Sequence, residues 1–227
     1  MNSIGLSTHV IGRALLSKEV LSERQLDDVS KELHESDKDL EHCCPMDAVR
    51  LRSMDAMMAY GVWLYVLVRH FRPTIVVETG VQNGCSTEMI LWAIHRNQAG
   101  RLYSIDSGGT SSDGSHKTSW NETRDGIPGK DIHDGLKRNW DLTIGLSSSC
   151  LNDLCQRLER VDLFWHDSDH SAENVQFEFL TIKPYVSCGG ILCLHDFNGQ
   201  PIDLGPPAFD VILPHEAPLL RGWRRIV

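Results

Sequence analysis

Apolar positions recur at helical spacing along the first third of the chain, then from residue 74 gather into short blocks. Val20, Leu21, Leu26, Val29 and Leu33 return every three or four residues among acids, which predicts an amphipathic helix over Lys18–Glu41. Ser22-Glu-Arg-Gln25 reads as a capping box that starts it. Met1–Ser17 carries little signal. A second helix is expected over Met46–Phe71, its methionines (Met54, Met57, Met58) serving as core filler. From Thr74 onward strand-like blocks alternate with helical stretches. Strands are expected at Thr74–Glu78, Arg101–Asp106, within Thr143–Ser149, from Val161 and at Gly189–Leu194, with helices over Glu88–Arg96, Cys150–Leu158 and Ala172–Lys183. The strands are apolar throughout rather than alternating, as in strands covered on both faces, so the fold class is α/β with a doubly wound, mostly parallel sheet. Residues 1–72 form a helical extension or lid in this reading, and 73–227 the main domain. Pro206–Leu213 reads as helix or irregular chain, and Gly222–Val227 as one last strand.

Composition narrows the function. The formal net charge is −9, and the densest basic cluster, Arg221–Arg225, holds three arginines, so nucleic acid is not an expected partner. Seven cysteines, an odd number, sit in core-like runs and suggest buried thiols of a reducing cytosol. The most apolar run, Ala56–Val68, is shorter than the roughly 20 residues that a bilayer span needs, and no leader pattern opens the chain. A cytoplasmic protein without membrane contact is expected.

The densest chemistry lies in Thr74–Thr87. A β-branched run ends near Glu78, Gly80 and Gly84 puncture the chain, and Ser86-Thr87 open the next helix. Strand, glycine turn and helix start make a cradle, because glycines admit close backbone approach and the helix start offers N–H donors and positive dipole. The spacing differs from the G-x-G-x-x-G of dinucleotide sites. An acid two residues before the first glycine repels a pyrophosphate but suits a cationic amino-acid end, which favours S-adenosylmethionine over NAD. An ordinary strand-to-helix turn would explain the glycines alone. Asp106 closes the second strand, where an acid bonds ribose hydroxyls in doubly wound folds, and Ser147 or its neighbours would lie near the adenine. The polar stretch Ser107–Lys130 is expected to be a lid, a substrate loop or plain disorder. Nothing ranks His116, Trp120 and His133 in or beside it as substrate contacts.

Two further strand ends carry polar residues. Val161-Asp-Leu-Phe-Trp-His-Asp-Ser-Asp-His170 delivers Asp167, Asp169 and His170, and Gly189–Leu194 delivers His195-Asp196. Ligands in open α/β sheets bind at such C-terminal ends. Carboxylates and imidazoles converging there suit Mg²⁺, Mn²⁺ or a similar divalent ion. The other reading is that some of them bond the cofactor or cap the next helix.

In order along the chain, Val77-Glu-Thr-Gly-Val-x-x-Gly-x-Ser-Thr87, Tyr103-Ser-Ile-Asp106, His166-Asp-Ser-Asp-His-Ser171 and Gly189-Gly-Ile-Leu-x-Leu-His-Asp196 resemble the class I S-adenosylmethionine-dependent methyltransferases. The branch they are most similar to groups cephalosporin-hydroxylase-like proteins with sugar O-methyltransferases of antibiotic pathways. The resemblance covers roughly Pro73–Asn198. It implies a seven-stranded Rossmann-like sheet and methyl transfer to an oxygen, less often a nitrogen, of a small natural-product acceptor. It also implies a divalent ion on Asp167, His195 and Asp196, with His170 as catalytic base; relatives often have two acids where His195-Asp196 stands. Cofactor contacts are expected from Glu78, Gly80, Gly84, Ser86, Thr87, Asp106, Ser147 and Asp167. Without a metal, His170 would be the base and Asp169 its orienter. Relatives usually end in an antiparallel strand pair, and one strand of it is evident here. A homodimer is expected from the apolar helix over Met46–Phe71. Two other classes stay open: an S-adenosylmethionine-binding protein with a non-methylating reaction, and a nicotinamide-dependent oxidoreductase.

Overall fold

The computed structural model describes residues 10–43, 59–109, 127–195, 209–213 and 220–226. Three helices come first: α1 Val10–Ser17, α2 Glu23–Cys43 and α3 Ala59–Phe71. The helix expected over Lys18–Glu41 thus begins later, at Glu23, and Val10–Ser17, which carries little sequence signal, forms a helix of its own. Glu19 takes the left-handed conformation at φ 54, and Val20 N–H returns to the Leu15 carbonyl at 2.9 Å, closing α1. The capping box then opens α2: Ser22 N–H donates to Gln25 Oε1 at 2.7 Å, and Gln25 N–H donates back to Ser22 Oγ at 3.3 Å. Of the helix expected over Met46–Phe71, the part before Ala59 lies outside the described residues.

The sheet strands are β1 Ile75–Thr79, β2 Arg101–Asp106, β3 Trp140–Ile144, β4 Val161–His166, β5 Val186–His195, β6 Phe209–Leu213 and β7 Leu220–Arg225. Between them lie α4 Cys85–Asn97, α5 Ser147–Leu158 and α6 Ala172–Ile182. The order across the sheet is β3-β2-β1-β4-β5-β7-β6, with β1 to β5 parallel and β7 antiparallel to both neighbours. Two expectations need correction at the C-terminus. Phe209–Leu213 is a strand, and the terminal antiparallel pair is complete. Four apolar residues around Asp210 fit neither the period of a strand nor that of a helix by themselves, and pairing with β7 decides it.

Side chains alternate between two cores. Val76, Leu163, Trp165, Ile191 and Cys193 meet α1–α4 on one face; Val77, Phe164, Leu192 and Leu194 meet α5 and α6 on the other. The N-terminal helices share the first core with the sheet. Glu32 of α2 accepts from Tyr65 and Arg69 of α3, and Arg69 also reaches Asn97 at the end of α4. At the N-terminal rim of the sheet, Asp162 joins three strands: Oδ2 accepts from Thr74 N–H (2.9 Å) and Ile75 N–H (3.0 Å), and Oδ1 accepts from Ser187 Oγ (2.8 Å). The C-terminal rim is where the sequence places the chemistry.

Candidate functional site

The turn after β1 is built as a backbone cradle. Gly80 and Gly84 have φ of 83° and 99°, conformations that side-chain-bearing residues rarely adopt. A Cβ at Gly80 would collide with the Asp167 carbonyl, and one at Gly84 with the Ile132 side chain. Gly84 is the N-cap of α4, and the first-turn amides of a helix lack intrahelical acceptors. Glu78 lies beneath it, fully buried, and accepts from Ser86 Oγ (2.8 Å), Thr87 Oγ1 (2.9 Å) and Ser104 Oγ (2.7 Å). The hydroxyls of Ser86 and Thr87 therefore face inward. Burial pushes the Glu78 carboxyl up to about 7, against the three hydroxyls, which pull it down.

Asp106 sits beside this turn, 9% exposed. Its Oδ2 accepts from Val81 N–H (2.7 Å) and Gln82 N–H (2.9 Å), and its Oδ1 from Gly108 N–H (2.7 Å). The strand-end acid thereby ties β2 to the glycine turn. Ile132 and Gly129 pack over the same turn, and Gly129 N–H donates to the Gln82 carbonyl at 2.8 Å. His133 caps a short 3-10 turn, accepting from Gly135 N–H at 3.1 Å. His116 and Trp120 lie outside the described residues.

The β4 and β5 ends bring Asp167, His170 and His195 together. Asp167 Oδ1 lies 2.7 Å from His195 Nδ1 and 3.5 Å from His170 Nε2. One donor atom from each of the three fits within 4.8 Å of the others, a set able to hold a divalent ion. Burial raises the Asp167 carboxyl, but hydrogen bonds from His170 and His195 outweigh it and hold it below the usual range. Asp196 lies outside the described residues. Asp169 is exposed and accepts from Ser171 N–H at 2.9 Å; the carboxylate beside His170 is that of Asp167. Because Gly80 packs on the Asp167 carbonyl, and Asp167 N–H donates to Thr79 O at 2.8 Å, cradle and cluster touch.

Beneath this rim lies a group that sequence reasoning missed. Glu178 of α6, fully buried, accepts from Thr79 Oγ1 (2.6 Å) and Ser168 Oγ (2.7 Å) and pairs with His166 Nδ1 (2.6 Å). Burial raises this carboxyl, yet His166 and the hydroxyls more than compensate, leaving it below its ordinary value. Ser147 joins the same network, its Oγ donating to Asn174 Oδ1 at 3.3 Å. The signal was legible: Glu178 is an acid on the stripe Val175, Phe179, Ile182 that α6 buries.

Comparison with known proteins agrees with this geometry. A family model described as a methyltransferase domain matches residues 77–197. The chain belongs to that family and has the class I fold of S-adenosylmethionine-dependent methyltransferases. Among solved structures it is similar to apo CalS11, a TDP-rhamnose 3'-O-methyltransferase of calicheamicin biosynthesis, at 14% identity and TM-score 0.58, covering 86% of this chain and 94% of that one. It is also similar to a methyltransferase from Geobacter sulfurreducens (18%, TM-score 0.51, 74% and 78% covered). A third is an O-methyltransferase from Bacillus cereus in complex with SAH (13%, TM-score 0.50, 96% and 98% covered). The comparison with curated proteins returns no match. No described helix is long and apolar enough to cross a membrane.

Proposed function

We propose that this methyltransferase moves the methyl group of S-adenosylmethionine to a hydroxyl of a small natural-product acceptor. The observation that carries the reading is the contact between the Gly80 turn and Asp167, which sets the cofactor cradle against a cluster suited to proton removal. The O-methyltransferase names of CalS11 and the Bacillus cereus protein support oxygen as the acceptor atom.

The sulfonium methyl is already activated, so the chain has to align the acceptor, exclude competing water and take away one proton. In this reading the backbone of Gly80–Gly84 and the first turn of α4 hold the methionine end. Glu78 acts from below, fixing Ser86 and Thr87 so that the amides keep their direction. Asp106 faces the ribose; a carboxylate has about four lone-pair sites, so three backbone donors leave capacity for a hydroxyl. Ser147, at the start of α5, borders the adenine. Asp167, His170 and His195 surround the acceptor oxygen and handle its proton. A divalent ion held by Asp167 and His195, with Asp196 as expected from sequence, would lower the pKa of the bound hydroxyl.

The described helices α1 to α3 act as an extension continuous with the domain's core. Five described cysteines stand as free thiols, in keeping with a cytoplasmic setting. A homodimer belongs to the same proposal, although α3 buries Gly61–Val68 inside its own chain; sedimentation measures it. The deciding experiment pairs calorimetric titration of S-adenosylhomocysteine with an assay for acceptor-dependent S-adenosylhomocysteine formation. Binding together with turnover that Asp167→Ala abolishes is expected. Binding without turnover on any hydroxylated acceptor would point to a non-methylating use of the cofactor, and absence of binding would overturn the reading.

A further inference from the structure

We infer that Asp167, His170 and His195 form a selective site for a first-row transition ion of the Fe²⁺, Co²⁺, Ni²⁺ and Zn²⁺ group, and discriminate against Mg²⁺. The inference concerns the site of the proposed methyl transfer but stands on its donor chemistry. Motif matching places the metal ligands at Asp167, His195 and Asp196 and leaves His170 as a base. The geometry instead brings His170 Nε2 to the same carboxylate oxygen as His195 Nδ1, at 3.5 and 2.7 Å. Two of the three convergent donors are therefore imidazole nitrogens.

That ratio sets the class of ion. Mg²⁺ prefers carboxylate, carbonyl and water oxygens and gives up water reluctantly, whereas imidazole suits zinc, iron, copper and nickel. Ligand atoms bound at about 2.1 Å stand roughly 3.0 to 3.4 Å apart in octahedral or tetrahedral geometry, so an ion would replace the 2.7 Å hydrogen bond between His195 and Asp167, opening that pair slightly, and draw the 3.5 Å pair slightly inward. Side-chain exposures of 34% for His170, 19% for Asp167 and 16% for His195 leave the group within reach of solvent ions. Three protein donors also leave coordination positions for an acceptor oxygen.

The scaffold beneath is stiff where such a site needs it. His166, next to Asp167, is fully buried and pinned by Glu178, while Asp167 N–H is fixed on Thr79 O. The ligand-bearing turn is thus held before any ion arrives, which favours affinity and selectivity. The contrasting reading, a hydrogen-bonded cluster that binds no ion, makes a different prediction in the same experiment.

The test uses the full chain stripped of metal with EDTA and desalted. Co²⁺ and Mg²⁺ are titrated separately under anaerobic conditions, followed by calorimetry and by the visible d–d bands of Co²⁺. His170→Ala, His195→Ala and the milder His170→Gln are compared, with S-adenosylhomocysteine titration and thermal melting of each as the check on folding. One equivalent of Co²⁺ should bind on the order of 100-fold more tightly than Mg²⁺, and each histidine change should weaken Co²⁺ at least ~10-fold without moving the S-adenosylhomocysteine titration. Equal affinity for the two ions overturns the proposal. So does Co²⁺ binding untouched by every histidine change, which would place the ion on the thiols, and so does the absence of Co²⁺ binding by folded protein. If an alanine variant fails to fold, the milder His170→Gln decides, because thiols elsewhere in the chain would also prefer Co²⁺ to Mg²⁺. Failure of S-adenosylhomocysteine to bind the wild type would instead count against the cofactor reading and leave the ion measurement standing.

Discussion

Two glutamates, Glu78 under the glycine turn after β1 and Glu178 under the β4 turn, are both fully buried and both accept several hydrogen bonds, yet they are driven in opposite directions. Burial penalises the charge of each. Glu78 has only the hydroxyls of Ser86, Thr87 and Ser104 to offset it, and its carboxyl rises to about 7. Glu178 has hydroxyls too, but also His166 Nδ1 at 2.6 Å, and it ends below its ordinary value. The difference teaches that neutral donors soften the desolvation of a buried carboxylate, while an imidazole partner reverses it. One region is built around a group near the edge of neutrality, the other around a held charge.

The harshest way to break this contrast is Glu178→Ala. It strips the partner from a buried pair, and about 3–5 kcal/mol of stability should be lost in urea denaturation; a loss below ~1 kcal/mol would mean that no charge is held there. Next comes Gly80→Ala, which acts on the joint between the two regions. With φ at 83° and the Asp167 carbonyl in the path of a Cβ, S-adenosylhomocysteine affinity should fall by at least ~10-fold in calorimetry, a change of about 1.4 kcal/mol.

Glu78→Gln should be gentler than Glu178→Gln at neutral pH, because the Glu78 carboxyl is already partly protonated there. The pH dependence sharpens this. A carboxyl whose folded-state pKa is raised from 4.5 to about 7 binds more protons folded than unfolded across that interval, so its contribution to stability declines as pH rises through it. Relative to Glu78→Gln, the wild type should lose up to about 3 kcal/mol between pH 4.5 and 7, and parallel stability curves would refute the assignment. The smallest effect belongs to Asp162. Its burial is outweighed by Thr74, Ser187 and Arg160, and the carboxyl is held down to about 2. Its stabilisation is complete above about pH 4 and disappears toward pH 2, so Asp162→Asn should flatten the acid limb of the melting curve.

The cradle was legible because its requirements are local: glycines where φ must be positive, and a helix start immediately after. The parallel strands were legible because burial on both faces writes continuous apolar runs such as Ile75-Val-Val. What escaped depends on distant partners. The helix at Val10–Ser17 and the strand at Phe209–Leu213 are decided by packing into the core and by pairing with β7, not by their own periodicity. The convergence of Asp167, His170 and His195 was legible from two polar strand ends, whereas the inward turn of Ser86 and Thr87 toward Glu78 needs the third dimension. Glu178 could have been found as an acid on an apolar stripe; that it meets His166 could not.

Asp162 fastens β1, β4 and β5 at the rim opposite the cradle. The sheet thus has one stitched hem, and the opposite hem carries the glycine turn and the Asp167 cluster. Changes at that opposite hem leave the stitch in place. A fold built this way separates the edge that holds the sheet together from the edge that carries its chemistry, and a laboratory library aimed at the second would do well to leave Asp162 alone.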